Sequence, residues 1–171
     1  AFLEAFVTAT PGLVFKNLRS EYEVFERANM SFIAPELRED GQYIDPAKQQ
    51  KLPQLIEEQD IRGVLHVHTT WSDGLHSLRD MCEYTRSMGY DYIGITDHSQ
   101  AAFYANGLKP DRVLAQMAEI DQLNTEMAPF RILKGIESDI LNDGSLDYDP
   151  EILEKFDFVI ASVHTNLKMS K

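Results

Sequence analysis

The sequence predicts an α/β fold in which parallel strands alternate with helices. From residue 61 onward, short apolar runs that are typical of buried strands alternate with amphipathic helical segments. A hydrophobic fraction of 43%, with 10% aromatic residues, supplies enough apolar side chains for a core and excludes a disordered chain. Strands that alternate with helices pair in parallel, with the helices outside, in either an open sheet or a barrel.

The first 60 residues predict a separate segment of short helices and turns. We place its boundary near Asp60 because all five histidines lie between residues 66 and 164. Ser20 and Glu23 have the spacing of a capping box, for a helix that continues to about Asn29. Three prolines predict the starts of further short helices: Pro35, Pro46 and Pro53, the last with Leu52, Leu55 and Ile56 as its apolar side.

Residues 61–171 predict four strands and three helices. One helix begins after Ser77 and ends at Gly89. The next begins at Pro110, and a short helix begins at Pro150. The strands are expected at four apolar runs: 64–67, 90–96, 132–136 and 158–163.

The composition excludes several classes of protein. The chain has 28 acidic and 16 basic residues and a formal net charge of −12, whereas a protein that binds nucleic acid unaided carries a basic surface. Its apolar runs are all shorter than the ~20 residues of a membrane span. A single cysteine, Cys82, excludes an internal disulfide and predicts a reduced, cytoplasmic protein. The chain starts at Ala1 without a signal-peptide pattern, and we expect both ends to be cuts in a longer protein.

Side chains that can bind metal ions follow each predicted strand. Because the carboxyl ends of parallel strands meet at one edge of a sheet or barrel, these side chains are expected to converge. His66 and His68 are two residues apart, so a strand directs both to the same face. Asp73 lies in the following loop, close enough in sequence to reach the same site. The four strand ends carry, in order, His66 with His68, Asp97 with His98, Glu137, and His164.

These residue types predict a particular chemistry. Converging nitrogen and oxygen ligands without a thiolate are suited to divalent Zn, Mn or Fe. Two or more such ions a few ångströms apart cleave phosphoesters: one converts a bound water to hydroxide, and the others neutralise the phosphate and the leaving oxygen. Bound cations would also reverse the local negative charge and allow an acidic protein to hold a phosphorylated substrate.

Other polar residues near this series have less specific interpretations. His76 precedes the helix cap and is expected to lie in solvent. Asp97 is either a ligand or a partner that orients an imidazole. Lys134 either contacts phosphate or extends to the surface. The sulfur-containing side chains of the helix after Ser77 are expected in the core: Met81, Cys82 and Met88.

Four motifs, in this order, resemble the PHP (polymerase and histidinol phosphatase) domain: LHVHTTWSDG, GITDH, LKGIESDIL with GSLDY, and ASVH. Residues 61–171 resemble the version of this domain that is fused to bacterial family X DNA polymerases, in particular through the loop at 105–108. Upstream, residues 20–40 resemble the end of a polymerase beta-type thumb subdomain. We therefore expect residues 1–60 to be the end of a thumb-like segment with a linker, and residues 61–171 to be the N-terminal part of a PHP domain.

The resemblance implies a distorted (βα)7, TIM-like barrel that holds up to three divalent metals, Mn²⁺ or Zn²⁺ or Fe. In these polymerases the domain is associated with metal-dependent 3′–5′ exonuclease activity or 3′-end processing of DNA. The resemblance thus implies a phosphodiesterase for DNA repair that meets DNA through the intact polymerase. The positions that match the family's metal ligands are His66, His68, Asp73, His98, Glu137 and His164.

The chain departs from the family pattern in two places. Family members often carry an acidic residue two positions before the first histidine, where this chain has Val64, but that position is not a ligand. The pattern also continues with another histidine, a closing Asp-x-His and roughly three more strands. The resemblance therefore implies about half of a PHP domain, and we expect catalysis from the complete protein rather than from this portion alone.

Two other functions are compatible with the same residues. A small-molecule phosphatase of the histidinol phosphatase type would share the metal site, although the thumb-like upstream segment argues against it. A catalytically inactive PHP module that only supports a polymerase is the other alternative. Retention of all six visible ligand types argues against that alternative.

Overall fold

The computed structural model describes residues 1–164, so residues 165–171 of the predicted second domain lie outside the described part. The described chain divides into two compact units, residues 1–56 and a second unit that begins at Glu57. Each unit contains hydrophobic clusters of its own. Within residues 1–164, none of the helices combines the length and the apolar character that a membrane span requires.

The first unit is a small helical assembly around aromatic side chains. The rings of Phe6 and Phe25 pack edge to face with their centroids 5.3 Å apart, and Phe32 packs against Phe25 at 5.1 Å in the same way. Ile33 and Ile44 complete the buried centre of this cluster. Its elements are α1 (Phe2–Ala9), α2 (Tyr22–Arg27), α3 (Ile44–Lys48) and a 3₁₀ turn at Pro35–Leu37.

Two predicted helix starts in this unit are wrong. Helix α2 begins at Tyr22, but the Glu23 carboxylate accepts a hydrogen bond from the backbone N–H of Arg19 at 3.0 Å instead of forming a capping box with Ser20. Residues 51–57, where Pro53 was expected to begin a helix, are irregular. Ile56 is 84% exposed there, so that segment has no continuous apolar side to bury.

The second unit is built on a four-stranded parallel sheet whose spatial order follows the chain. This arrangement confirms the predicted α/β class and corresponds to part of a TIM-like barrel. Because all four strands run the same way, their carboxyl ends share one edge. The strands are β1 (Gly63–Val67), β2 (Tyr92–Ile95), β3 (Arg131–Asp139) and β4 (Phe158–Ser162), and the helices are α4 (Leu78–Ser87), α5 (Pro110–Met127) and α6 (Pro150–Leu153).

Helices α4 and α5 bury the apolar side chains of the two central strands. Ser77 caps α4 by accepting a hydrogen bond from the backbone N–H of Asp80 at 3.1 Å. Cys82 is fully buried in the cluster between α4 and the sheet. Met88, which was expected in that core, is 57% exposed because it lies at the end of the helix. The largest fully buried aliphatic side chains of the central strands are Ile93, Ile95, Ile132 and Ile136.

The face of the sheet that does not pack against α4 and α5 carries Phe158. On that face the ring of Phe158 lies against Gly135, where a Cβ would approach the ring to 2.6 Å. Strand β1 is irregular between Val64 and Val67, and it exposes both Leu65 and His66. This irregular segment is the first of the four strand ends that carry candidate ligands.

Candidate metal centre

Three imidazoles surround one oxygen of the Glu137 carboxylate. Glu137 lies on β3, and its side chain is only 7% exposed. The imidazole nitrogens closest to its Oε2 are His66 Nε2 at 3.4 Å, His68 Nε2 at 3.3 Å and His98 Nδ1 at 3.2 Å. The ends of β1, β2 and β3 therefore converge on a single carboxylate oxygen.

A fourth imidazole approaches the other oxygen of the same carboxylate. His164, two residues beyond the end of β4, places its Nε2 3.1 Å from Oε1 of Glu137. Its Nδ1 lies 2.5 Å from Oδ1 of Asp139, a buried residue two positions after Glu137 on the same strand. Asp139 thereby fixes the ring of His164 with Nε2 directed at Glu137.

Asp73 joins the cluster from the loop that follows β1. Its Oδ1 lies 3.6 Å from Nδ1 of His68 and 3.8 Å from Nε2 of His98. Half of the Asp73 side chain is exposed, in contrast to the buried Glu137. The cluster therefore has a buried side formed by β3 and an open side formed by this loop.

The six side chains form three overlapping groups that could each hold a cation. In each group the donor atoms lie within 4.8 Å of one another. A neutral imidazole has one free lone pair, so His68 and His98, which belong to two groups each, can bind one cation at a time. Glu137 has two oxygens and can bridge two cations. The groups are His66, His68 and Glu137; His68, Asp73 and His98; and His98, Glu137 and His164.

The donor set fits a divalent cation. Within the described part of the second unit, Nδ1 of His68, Nδ1 of His98 and Oδ2 of Asp139 are buried atoms without a hydrogen-bond partner. A buried polar atom left in this state costs about 1–3 kcal/mol. The two imidazole nitrogens face carboxylate oxygens at distances too long or too poorly aligned for hydrogen bonds, and a cation between them would satisfy both groups.

The electrostatics of the cluster keep Glu137 ionised. Burial raises the pKa of this carboxyl group, but hydrogen bonds from His66 and Ser162 and the charges of His164 and His98 outweigh burial, and the net pKa is lowered. A carboxylate must be ionised to bind a metal. Glu137 therefore has the protonation state that a ligand needs.

The two imidazoles on either side of Glu137 are shifted in opposite directions. Burial and the neighbouring charge of His98 lower the pKa of His68, which favours the neutral form that ligates metals. For His164, burial lowers the pKa, but the hydrogen bond to Asp139 and the negative charge of Glu137 outweigh it and raise the pKa overall. The carboxylates of Asp139 and Glu137 therefore favour the charged form of His164 relative to a free imidazole.

Residues 65–170 match the family described as the PHP domain. The chain belongs to the PHP domain family. The match includes all four strand ends and the loop of Asp73. PHP domains bind divalent metals, in agreement with the clusters of histidine and carboxylate side chains.

Two curated relatives are similar to this PHP chain. The "DNA polymerase/3'-5' exonuclease PolX" of Bacillus subtilis (strain 168) is 48% identical over 151 residues, which are 88% of this chain and 26% of that protein. A protein described as "Probable phosphatase" from Acetivibrio thermocellus is 32% identical over 101 residues, 58% of this chain and 39% of that protein. The chain spans about a quarter of the first relative and about two fifths of the second. The alignment with the polymerase is longer than the second unit, so it extends into the first.

Asp97 supports the loop of the PHP site rather than an imidazole. Its Oδ1 accepts hydrogen bonds from the backbone N–H of Thr69 at 2.7 Å and from the backbone and hydroxyl of Ser72 at 3.1 and 2.5 Å. Its Oδ2 accepts from the Thr69 hydroxyl at 2.8 Å and from Gln116 Nε2 at 2.6 Å. All five donors lie outside the imidazole cluster, so Asp97 acts on the site by holding the loop that carries Asp73.

A close approach of two backbone segments shapes the same loop. A Cβ at Gly74 would lie 2.5 Å from the carbonyl oxygen of His68, which only glycine avoids. The N–H of Gly74 donates to the carbonyl of Thr69 at 2.9 Å and closes the loop. The turn therefore returns Asp73 to the strand end of His68.

Two polar residues considered in the sequence analysis lie away from the imidazole cluster. Lys134 is three residues before Glu137 on β3, so its side chain leaves the opposite face and pairs with Asp121 of α5 at 2.6 Å. This geometry gives no support to a phosphate contact by Lys134. His76 is exposed, as expected, outside the three groups of donor atoms.

Sequence reasoning missed two residues that support the PHP site. Asp139 follows Glu137 by two positions, and strand alternation could have placed it on the same face had the strand been predicted to extend that far. Gln116 on α5 is fully buried and donates to Asp97, but nothing in its helical pattern distinguishes it from an exposed glutamine.

Proposed function

We propose that this chain carries the metal-binding part of a phosphodiesterase that acts on DNA 3′ ends, as a 3′–5′ exonuclease or 3′-end-processing domain of a family X DNA polymerase. The observation that carries the proposal is the convergence of four imidazoles on the two oxygens of Glu137. Such a set holds several cations close together, which is the arrangement that cleaves phosphodiesters.

Six residues would hold the cations, which we propose to be Mn²⁺, Zn²⁺ or Fe, up to three in a complete site. Glu137 is suited to bridge two of them because its two oxygens face different imidazoles. When bound, such cations lower the pKa of the water that attacks phosphorus and neutralise the phosphate and the leaving oxygen. The proposed ligands are His66, His68, Asp73, His98, Glu137 and His164.

The remaining residues of the site position these ligands. Asp139 holds the ring of His164, and Asp97 holds the loop of Asp73. Glu137 and His98 form the buried side of the cluster. The exposed side, with His66 and Asp73, is the side from which a phosphodiester can approach.

DNA is the preferred substrate class in this proposal because of the extent of the polymerase match. That alignment covers 88% of the chain and extends into the first unit, whereas the alignment with the phosphatase covers 58%. A net charge of −12 means that the basic surface that holds DNA would come from another part of the polymerase. We propose that the first unit is the end of the thumb-like part of that polymerase, followed by a linker, and that the protein acts in DNA repair in the cytoplasm.

A small-molecule phosphatase is the second candidate, because the second relative is described as a phosphatase. Both candidates use the same metal site and differ in the alcohol that leaves phosphorus. A PHP module without catalysis is the third, and the presence of all six proposed ligands in this part of the domain counts against it, because an inactive site has no need of them.

The test is hydrolysis of a 3′-end-labelled oligonucleotide by the intact protein after reconstitution with Mn²⁺ or Zn²⁺. Glu137→Gln should abolish release of the label, whereas Glu154→Gln, an exposed residue, should leave it unchanged. Full activity of a Glu137→Ala, His164→Ala double variant would contradict the proposal. Turnover of histidinol phosphate that exceeds turnover of DNA by orders of magnitude would favour the phosphatase. Absence of bound metal after reconstitution would favour the inactive module.

A further inference from the structure

Two adjacent aromatic side chains stand exposed at the rim of the metal centre. Phe103 is 82% exposed and Tyr104 is 58% exposed, in a 3₁₀ turn that follows β2. Single exposed apolar side chains are common, but two aromatic rings side by side at the opening of a site indicate a binding surface. The metal ligands proposed above leave both rings without a role.

Tyr104 is directed toward the cluster. Its ring centroid lies 6.3 Å from the ring centroid of His98, at an interplanar angle of 57°. The ring of Phe103 stands edge-on to Tyr104, with the centroids 6.2 Å apart. Partial burial and the negative charges of Asp139, Glu137 and Asp73 raise the pKa of the Tyr104 phenol.

The turn that carries these rings is fixed to the loop of Asp73. Asn106 ends the turn in the left-handed conformation, with φ of 56°, and its Nδ2 donates to the carbonyls of Trp71 and Ser72 at 3.2 Å each. Arg112 donates to the Asn106 carbonyl at 3.0 Å, and its guanidinium lies 5.7 Å from the centroid of the Trp71 ring. The backbone of the turn that carries the two rings is therefore fixed before substrate binds, which lowers the entropic cost of binding.

We propose that Tyr104, supported edge-on by Phe103, is a stacking platform for the base of the 3′-terminal nucleotide. This inference rests on the proposed function, because it requires a nucleotide phosphate at the metal centre. One sugar ring separates phosphate from base in a nucleotide, so a phosphate beside His98 and Glu137 leaves its base at the rim. Stacking on an aromatic ring accepts any base, which suits an enzyme that removes nucleotides of every sequence. The platform thus selects nucleic-acid ends over phosphate esters that lack a base.

The test compares two labelled oligonucleotides that differ only at the 3′ end: one ends in a normal nucleotide and the other in an abasic tetrahydrofuran residue. The intact wild-type protein with Mn²⁺ should prefer the normal end in kcat/KM by about 10-fold. Tyr104→Ala should remove this preference by slowing cleavage of the normal end alone. Tyr104→Phe, which keeps the ring and loses the hydroxyl, should retain the preference. Tyr84→Ala, a change of an exposed tyrosine on α4, is the matched control and should behave as wild type.

Three results would overturn this inference. Equal wild-type rates on the two oligonucleotides would overturn the platform while leaving the proposed phosphodiesterase intact. An equal loss of both rates in Tyr104→Ala would assign the residue to the structure of the site rather than to base binding. Failure of the wild-type protein to cleave either oligonucleotide would overturn the proposed function, and the platform with it.

Discussion

The ring of His164 lies between two carboxylates, with Nδ1 2.5 Å from Oδ1 of Asp139 and Nε2 3.1 Å from Oε1 of Glu137. Both carboxylates come from β3, two residues apart and on one face of that strand. The first carboxylate accepts the N–H of the ring, which leaves the second nitrogen free to bind a cation beside Glu137. The hydrogen bond to Asp139 thus orients the ring of His164, a proposed ligand that lies beyond the end of β4.

We predict that Asp139→Ala weakens binding of Mn²⁺ or Zn²⁺ by about 10- to 100-fold, because the ring of His164 loses its partner and its orientation. Asp139→Asn should weaken binding less, since the amide oxygen can still accept the N–H of the ring. Calorimetric titration of the metal-free protein with Mn²⁺ measures the affinity. Asp111→Ala, in an exposed residue of α5, is the control. Equal affinity in wild type and Asp139→Ala would show that His164 needs no support.

Metal binding should raise the free energy of unfolding, because the cation binds the folded protein and not the unfolded chain. At a free Mn²⁺ concentration 100 times the dissociation constant, binding adds about 2.7 kcal/mol to the free energy of unfolding, and EDTA should remove this gain. Thermal unfolding with and without Mn²⁺ measures the shift. Glu137→Gln should remove most of the shift because the bridging carboxylate is lost, whereas Glu154→Gln should retain it. A Tm that does not respond to Mn²⁺ or Zn²⁺ in the wild-type protein would contradict metal binding at this cluster.

The strand ends could be predicted because parallel pairing brings carboxyl ends together whatever the loops between them do. His66 lies at the end of one apolar run, and His98 and Glu137 follow two others. The parallel sheet places both imidazoles beside the carboxylate of Glu137. Asp139 could not be predicted in the same way. The apolar run that marks β3 ends at residue 136, but the strand continues to Asp139 because β4 pairs with it along that length.

The face of the sheet on which a side chain lies was harder to predict from the sequence than the position of the strand ends. Lys134 and Glu137 are three residues apart, and alternation along a strand puts them on opposite faces. Asp97 is adjacent to His98 and likewise points away from it, toward Thr69 and Ser72 of the neighbouring loop. The apolar residues on either side of Lys134 do not show which face of the sheet packs against the helices. The ion pair with Asp121 of α5 shows that the side chain of Lys134 lies on the helix-covered face.

We predict that Asp97→Asn lowers the free energy of unfolding by on the order of 3 kcal/mol, because the introduced amide group donates where the protein already supplies donors. The five hydrogen bonds that Asp97 accepts hold the loop of Asp73, so the backbone amides of Thr69 and Ser72 should exchange faster with solvent. Urea denaturation measures the first effect, and hydrogen exchange measures the second. Asp111→Asn, which removes only the charge of an exposed acidic side chain in the first turn of α5, should lower stability by no more than about 1 kcal/mol. A loss in Asp97→Asn no larger than that control would contradict the supporting role of Asp97.

The thiol of Cys82 should be inert in the folded protein. Burial raises the pKa of Cys82 to about 12, and the side chain is fully covered by the cluster between α4 and the sheet. Because the thiolate is the reactive form, a raised pKa leaves almost none of it at pH 8. The free energy of unfolding is independent of this ionisation only below the ordinary thiol pKa of 9.0, and it falls as pH rises from there toward the raised pKa, because the unfolded chain loses the proton first. A disulfide reagent such as Ellman's reagent at pH 8 should release no colour from this thiol until urea unfolds the protein, with Cys82→Ala as the control that assigns the signal. Rapid stoichiometric reaction under native conditions would instead show that α4 opens from the sheet far more often than its packing implies.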